Sequence, residues 1–151
     1  MSIPLPNPMR MALDLAQQAA EAGEVPVGAV IVREGIVIAT GVNAMRSKKD
    51  PTAHAEMEAI RAAALHLGSE RLDGCDLWVS LEPCAMCAGA IANARVARLY
   101  YGAADPKGGA VEHGARVFTQ DTCHHQPDIY GGLGEQEAAA QLRAFFAERR
   151  S

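Results

Sequence analysis

Apolar residues recur at helical spacing in the first part of the chain. Asn7 and Pro8 are typical of a helix cap followed by a proline in the first turn. Gly23 is the kind of residue at which a helix ends, so the pattern predicts a first helix between these points. We expect its buried face to carry the apolar residues Met11, Leu15, Ala19 and Ala22.

Extended segments follow this helix. Residues 25–32 and residues 36–42 are β-branched runs on either side of Glu34-Gly35, and together they predict a hairpin. Further along, two short apolar runs predict strands at residues 76–81 and 96–102. Segments rich in polar or turn-forming residues predict loops at residues 43–49 and 105–109.

Three more helices are predicted from their start and stop signals. One opens at Asp50-Pro51 and runs to about Leu67, with Gly68 as its stop. Another follows Glu82-Pro83 and continues to about Arg95. The last covers residues 135–149, where the expected apolar anchors are Leu142, Phe145 and Phe146.

The alternation of helices with strands predicts a layered α/β fold. With 151 residues the chain is long enough for one domain with a sizeable core. Residues 112–133 show no clear pattern, so no element is predicted there.

Composition narrows the class of protein without identifying it. Hydrophobic residues make up 49% of the chain and charged residues 21%, as in ordinary globular domains. The net charge of -4 does not indicate nucleic-acid binding, although a local patch can bind where the net charge would not. We expect a cytoplasmic protein with reduced thiols, because neither a signal peptide nor a run of about 18 apolar residues is present.

Two short motifs contain residue types that bind metals. The first is His54-Ala55-Glu56, and the second is Pro83-Cys84-Ala85-Met86-Cys87. One imidazole and two thiolates supply three ligands for a tetrahedral zinc ion and leave the fourth position for water. Cys84 and Cys87 are three residues apart, so they share one face of a helix. His54 and Glu56 are two apart, so they converge only if His54 lies at the irregular start of its helix.

Glu56 would give such a site a proton carrier. Two thiolates cancel the formal charge of zinc, so a water at the fourth position should be a weaker acid than at a three-histidine site. That water needs a nearby base, and Glu56 would take its proton and pass it to a ring nitrogen of the substrate. The resulting hydroxide would attack an amine-bearing carbon and release ammonia. The order H-x-E followed by P-C-x-x-C is the established signature of zinc-dependent nucleobase deaminases.

Other interpretations of these motifs remain open from the residues alone. A C-x-x-C pair also serves as a redox centre or as half of a structural zinc site. In a structural site the fourth ligand would be Cys75, Cys123 or another histidine. His124-His125 beside Cys123 is compatible with a second metal, although surface histidines are the commoner explanation.

The chain resembles the bacterial tRNA-specific adenosine deaminases, a branch of the cytidine deaminase-like superfamily. Beyond the two motifs, the resemblance rests on EVPVGA at residues 24–29, DPTAHAE at 50–56, LEPCAMCAG at 81–89, YGAADPKGGA at 101–110 and FFAERR at 145–150. It implies a three-layer α/β/α fold with a central mixed sheet of about five strands. It also implies one zinc ion per subunit, with His54, Cys84 and Cys87 as ligands and Glu56 as the proton shuttle.

The resemblance assigns a substrate as well. Adenosine at the wobble position of a tRNA anticodon stem-loop would be converted to inosine by a homodimer, with no role for a membrane. Asn43 would contact the adenosine, and Asp105 would lie near the backbone of the anticodon loop. Val25 and Ala55 would help to form the base pocket.

Two alternatives have to be separated from this hypothesis. The first is a deaminase of free nucleobases or nucleosides, such as guanine, cytosine or adenine derivatives, which would share the zinc motif. The second is a non-catalytic RNA-binding or assembly subunit with a structural zinc. Glu56 argues against the second alternative, because a structural site has no use for that carboxylate.

Overall fold

The computed structural model describes residues 4–149, which form a five-stranded sheet between two layers of helices. The helices are α1 (Asn7–Glu21), α2 (Met45–Lys48), α3 (Ala55–Leu67), α4 (Ala85–Ala94) and α5 (Glu135–Arg149). The strands are β1 (Gly28–Arg33), β2 (Ile36–Val42), β3 (Cys75–Leu81), β4 (Arg98–Ala103) and β5 (Asp128–Tyr130). A single 3-10 turn, Val117–Thr119, lies between β4 and β5.

The sheet is mixed and has the order β2-β1-β3-β4-β5. β1 pairs antiparallel with β2 and with β3, whereas β3, β4 and β5 run parallel. Because parallel strands end at the same edge, the segments that follow β3 and β4 lie side by side. That edge therefore brings Cys84 close to Asp105. The predicted fold class, an α/β protein with a mixed sheet of about five strands, is confirmed.

Each face of the sheet has its own apolar core. On one face α3 and α4 pack over fully buried side chains that include Ile31, Leu77 and Leu99. On the other face α1 and α5 pack over a smaller cluster that includes Leu13 and Trp78. Each fully buried large side chain contributes about 1.5–3 kcal/mol, so the two cores fix the helices firmly on the sheet.

The start of α3 differs from the prediction in a way that matters for the site. The helix begins at Ala55, whereas Asp50 to Thr52 form a turn in which Asp50 Oδ1 accepts bonds from the Thr52 amide (2.9 Å) and hydroxyl (2.7 Å). His54 is consequently the N-cap residue, with extended backbone angles of φ -72° and ψ 154°. Gly68 ends the helix in the left-handed conformation (φ +65°), as predicted.

Several predicted boundaries and faces were wrong. Asn7 is the first helical residue rather than the cap. Pro6 occupies the cap position, and no side chain forms a capping hydrogen bond there. Met11 is 38% exposed and Ala22 is exposed, since the face that α1 turns to the sheet is shifted by one position. The buried face of α1 consists of Met9, Ala12, Leu13, Ala16 and Ala19.

Other differences concern short elements and one aromatic residue. A one-turn helix, α2, occupies part of the predicted loop at residues 43–49. β1 begins at Gly28 rather than at residue 25, and β5 lies in the stretch where no pattern was visible. Phe145 is buried as predicted, whereas Phe146 is 44% exposed and is not an anchor.

Close contact between Gly41 in β2 and helix α3 carries a testable consequence. A Cβ at Gly41 would overlap the Ala55 carbonyl oxygen and lie 2.6 Å from the Ala59 amide nitrogen. Gly41→Ala should therefore push the site-bearing helix off the sheet and lower the free energy of unfolding by about 1–3 kcal/mol. Urea denaturation measures this loss. Gly89→Ala in α4 is the matched control, because a Cβ there meets nothing within 4 Å among the described residues. An equal effect of both substitutions would contradict the packing argument.

Among residues 4–149 we find no helix with the length and apolar character that crossing a bilayer requires.

Candidate active site

The two metal-binding motifs lie at the N-termini of neighbouring helices. His54 is the N-cap of α3, and Cys84 is the N-cap of α4, with Cys87 in the first turn of the same helix. His54 Nδ1 lies 3.6 Å from Cys84 Sγ and 3.5 Å from Cys87 Sγ. All three ligand atoms lie within 4.8 Å of one another. The structure therefore brings the predicted ligand set together.

These separations fit a tetrahedral zinc ion. Zinc–nitrogen and zinc–sulfur bonds of ordinary length at a tetrahedral angle place a ligand nitrogen about 3.5 Å from a ligand sulfur. Within residues 4–149 no other His, Cys, Asp or Glu joins this group, so the protein supplies three ligands. A structural zinc site with four protein ligands is not formed, and the coordination that remains is the open kind found in catalytic sites.

The helix start prepares one thiol for metal binding. The pKa of Cys84 is lowered to about 5, mainly because the Cys87 thiol donates a hydrogen bond to its sulfur, helped by the backbone amides of Cys87 and Met86. The pKa of Cys87 is raised, first by that shared hydrogen bond and then by burial. The pair therefore holds one proton between two sulfurs in the absence of a cation. A bound cation would favour loss of that remaining proton, so that both sulfurs become thiolates.

Glu56 lies in the first turn of α3 and is only 4% exposed. Burial raises the pKa of its carboxyl to about 7, and the nearby Cys84 thiolate contributes in the same direction. A carboxyl group with a pKa near 7 both accepts and donates a proton readily at neutral pH. This is the property required of a proton shuttle.

The raised pKa predicts a pH dependence of stability in the zinc-free protein. Protonated Glu56 stabilises the fold fully below its unfolded pKa of about 4.5, and this contribution is lost as the pH rises through about 7. Zinc-free wild type and Glu56→Gln should match in unfolding free energy at about pH 4. At about pH 8 the wild type should be less stable by roughly 3 kcal/mol. Urea denaturation at both pH values measures the difference, and a constant difference would contradict the assignment.

A cavity of about 270 Å³ opens beside the metal ligands. Its lining includes His54 and Cys84 together with Glu56, so a molecule inside would meet the ligand group and the carboxyl at once. Val25 and Asp105, two of the predicted substrate-binding residues, also line this cavity. It is the place where substrate and the reacting groups can meet.

Asn43 lines the cavity as well, but both ends of its amide are already bonded to the protein. Its Oδ1 accepts a hydrogen bond from the Ala55 amide (2.8 Å), and its Nδ2 donates to the Val25 carbonyl (3.0 Å). Asn43 therefore provides the hydrogen-bond acceptor for a free amide at the start of α3 and links that helix to the segment that contains Val25. Ala55 is fully buried in the main core, and its side chain is not part of the cavity lining.

Asp105 orders the turn that follows β4. Its Oδ1 accepts hydrogen bonds from the amides of Lys107 (3.2 Å) and Gly108 (3.0 Å), and its carbonyl accepts one from Gly109 (2.8 Å). This turn forms one lip of the cavity, because Gly108 lines it too. Where an RNA backbone would pass relative to Asp105 stays a prediction.

Two buried glutamates near the cavity were missed by the sequence reasoning. Glu24 is 4% exposed and accepts hydrogen bonds from the amides of Arg46 (3.1 Å) and Ser47 (2.8 Å) at the start of α2. Glu82 has a fully buried side chain and accepts hydrogen bonds from backbone amides of the segment that follows β4. For both groups hydrogen bonds outweigh desolvation, so their pKa values lie below the ordinary value. For Glu82 the available signal was an acidic residue directly after a buried strand, since a buried charge there needs several partners.

The remaining candidates lie outside the site. His125 Nε2 is 2.6 Å from the Val96 carbonyl, His124 is exposed, and the Cys123 thiol donates to the His125 carbonyl (3.2 Å). Cys75, the first residue of β3, is buried in the main core. None of these four residues belongs to the metal-binding group formed by the described residues.

Comparison with known proteins agrees with this geometry. A family model described as the cytidine and deoxycytidylate deaminase zinc-binding region matches residues 6–103. The tRNA-specific adenosine deaminase of Agrobacterium fabrum is 59% identical over 142 residues, which cover 94% of this chain and 93% of that protein.

Solved structures extend the comparison to the fold. One, from a study of A-to-I editing by tRNA:A34 deaminases at the wobble position of transfer RNA, has a TM-score of 0.88 and 58% identity. It covers 89% of this chain and 98% of the solved chain. A guanine deaminase from Bacillus subtilis has a TM-score of 0.63 and 34% identity, covering 95% and 92%. The chain belongs to the zinc-binding cytidine and deoxycytidylate deaminase family, and within it to the tRNA-specific adenosine deaminases.

Proposed function

We propose that this protein deaminates adenosine to inosine hydrolytically at the wobble position of a tRNA anticodon. The observation that carries the proposal is the three-ligand group of His54, Cys84 and Cys87 with buried Glu56 beside it, in a cavity that a nucleobase can enter. An open metal site with an adjacent proton carrier is suited to hydrolytic chemistry.

The three ligands would hold one zinc ion through His54 Nδ1 and the two sulfurs. When bound, zinc supplies Lewis acidity that makes water a sufficient nucleophile at neutral pH. The protein around it contributes orientation, because the ligands sit at the starts of two helices packed on one sheet face. The buried surroundings of Glu56 exclude bulk water from the proton path.

Glu56 moves the protons in this proposal. Its carboxylate takes a proton from the attacking water and delivers it to the adenine ring nitrogen next to the amine-bearing carbon. It then takes the second proton from the hydroxyl now bound to that carbon and transfers it to the departing amine, so that the carbonyl of inosine forms and ammonia leaves. In the zinc-free protein burial already favours the protonated form of this carboxyl, the form that delivers the proton.

The choice of tRNA as substrate rests on the relatives. The relatives named as tRNA-specific adenosine deaminases are 41–59% identical to this chain, whereas the guanine deaminase is 34% identical. A guanine or nucleoside deaminase is therefore the second candidate, favoured by the likeness of its fold and by the small cavity.

The proposal extends to a homodimer in the cytoplasm. The second copy is what the resemblance to the tRNA-specific adenosine deaminases implies. Light scattering on the purified zinc-loaded protein should give twice the mass of one chain, and a fully active monomer would contradict the dimer.

Substrate scope tests the proposed function. Zinc-loaded protein is incubated with an anticodon stem-loop that carries adenosine at the wobble position, and in parallel with free adenosine, cytidine and guanine. We expect deamination of the stem-loop, with little or no turnover of the free compounds. Turnover of guanine or of a free nucleoside, with the stem-loop untouched, would move the protein to the second candidate.

A further inference from the structure

We propose that Glu82 is a positioning residue that holds the segment at residues 105–113 as the substrate-facing wall of the cavity. The inference rests on the proposed function, because it concerns how the same cavity receives its substrate. It begins from a carboxylate that has a fully buried side chain and no Lys or Arg partner among the described residues.

The negative charge of Glu82 is stabilised by hydrogen bonds from a single segment, residues 105–113. Oε1 accepts a hydrogen bond from the Asp105 amide (3.0 Å), and Oε2 accepts bonds from the amides of Val111 (3.1 Å), Glu112 (2.9 Å) and His113 (3.2 Å). His113 Nδ1 adds a contact of 2.8 Å to Oε1. These partners come from both ends of residues 105–113, so the carboxylate closes this segment into a loop around itself.

Backbone packing shows that the loop fits Glu82 closely. A Cβ at Gly109, in the middle of the loop, would lie 2.5 Å from Glu82 Cδ and 2.6 Å from the Asp105 carbonyl oxygen. The Ala110 amide also donates to the Pro83 carbonyl (2.9 Å), which links the loop to the segment that carries the cysteine ligands. The loop therefore has little freedom to move while its bonds to Glu82 are intact.

The role of Glu82 is positional because its oxygens are already occupied. Both carboxylate oxygens accept several protein donors, which leaves little capacity for a bond to substrate. The loop that it holds places Asp105 and Gly108 in the cavity lining. The metal ligands and Glu56, by contrast, lie at the starts of α3 and α4 and, among the described residues, form no hydrogen bond with Glu82. Loss of the carboxylate should therefore weaken substrate binding more than the chemical step.

Glu82→Gln tests this separation. The amide group replaces acceptor capacity with N–H donors that face the loop amides, so at least part of the loop is released. We expect KM for the wobble-adenosine stem-loop to rise roughly 10- to 100-fold while kcat changes less than about threefold, because the loop must be ordered again on binding. Zinc content should be unchanged. Hydrogen exchange should be faster at the amides of Asp105, Val111, Glu112 and His113. Glu70→Gln, at an exposed glutamate, is the matched control and should leave all four quantities unchanged.

Two further variants decide the question if Glu82→Gln does not fold. Gly109→Ala pushes the loop away from an intact carboxylate, and His113→Ala removes one contact at a half-exposed site. Both variants should raise KM, as expected for Glu82→Gln, and the increase should be smaller for His113→Ala than for Gly109→Ala. An unchanged KM with intact amide protection in the folded variants would overturn the inference, and so would a lowered kcat at constant KM. If the wild type itself does not act on the stem-loop, the proposed function fails, and the exchange experiment still tests the role of Glu82.

Discussion

Glu56→Gln is expected to abolish nearly all deamination while the protein keeps its fold and its zinc. The substitution preserves the shape of the side chain and removes its ability to carry a proton. General acid–base catalysis by one positioned group contributes about 10²–10⁴ in rate, so kcat should fall by a factor in that range. Inosine formation on the stem-loop measures kcat, and elemental analysis measures zinc.

Glu58→Gln is the matched control for this substitution. Glu58 lies two positions further along α3, where its carboxylate pairs with Lys48 at 2.9 Å, away from the ligand group. A partly exposed ion pair contributes little, so this variant should retain nearly full activity and stability. Retained activity in Glu56→Gln would remove the central element of the proposed mechanism. Loss of zinc from that variant would show that Glu56 supports the metal instead.

Cys87→Ser should have the second large effect, through loss of the metal. Cys87 is fully buried in the first turn of α4, and its sulfur is one of three atoms in the ligand group. Its removal should lower zinc affinity by more than the ~10–100-fold that loss of a supporting hydrogen bond costs a metal site. Activity should fall to background. The variant should also lose the gain in melting temperature that zinc gives the wild type, since a ligand that binds only the folded state stabilises it.

Cys123→Ser provides the comparison for this prediction. Cys123 is a partly buried free thiol outside the metal-binding group. The Cys123→Ser variant should bind zinc and act on substrate as the wild type does. Full zinc occupancy in Cys87→Ser, or zinc loss in Cys123→Ser, would contradict the assignment of the ligands.

The residues to which we assign the chemistry could be picked out from the sequence because their spacing is local. His54 with Glu56 and Cys84 with Cys87 are each separated by two or three positions, so the motifs are visible without a fold. What local spacing could not decide was how His54 and Glu56 converge. The structure supplies the reason, since His54 is extended at the N-cap and Glu56 follows in the first helical turn.

The walls of the cavity could not be predicted because they depend on long-range partners. Glu82 makes its hydrogen bonds to partners that lie 23 to 31 positions further along the chain. Asn43 joins Val25 to Ala55, which belong to different segments. The same cause explains the errors on α1, where the sheet and α5 decide which face is buried. β5 has only three residues and gains its place by pairing with β4, so its own sequence carried little signal.

Position-resolved detection of inosine in the anticodon stem-loop decides whether the protein deaminates wobble adenosine through Glu56. Zinc-loaded wild type and Glu56→Gln are each incubated with a stem-loop that carries adenosine at the wobble position and elsewhere in the loop. We expect inosine at the wobble position alone with the wild type, and almost none with the variant. No inosine with the wild type, or equal conversion by both proteins, would contradict this expectation.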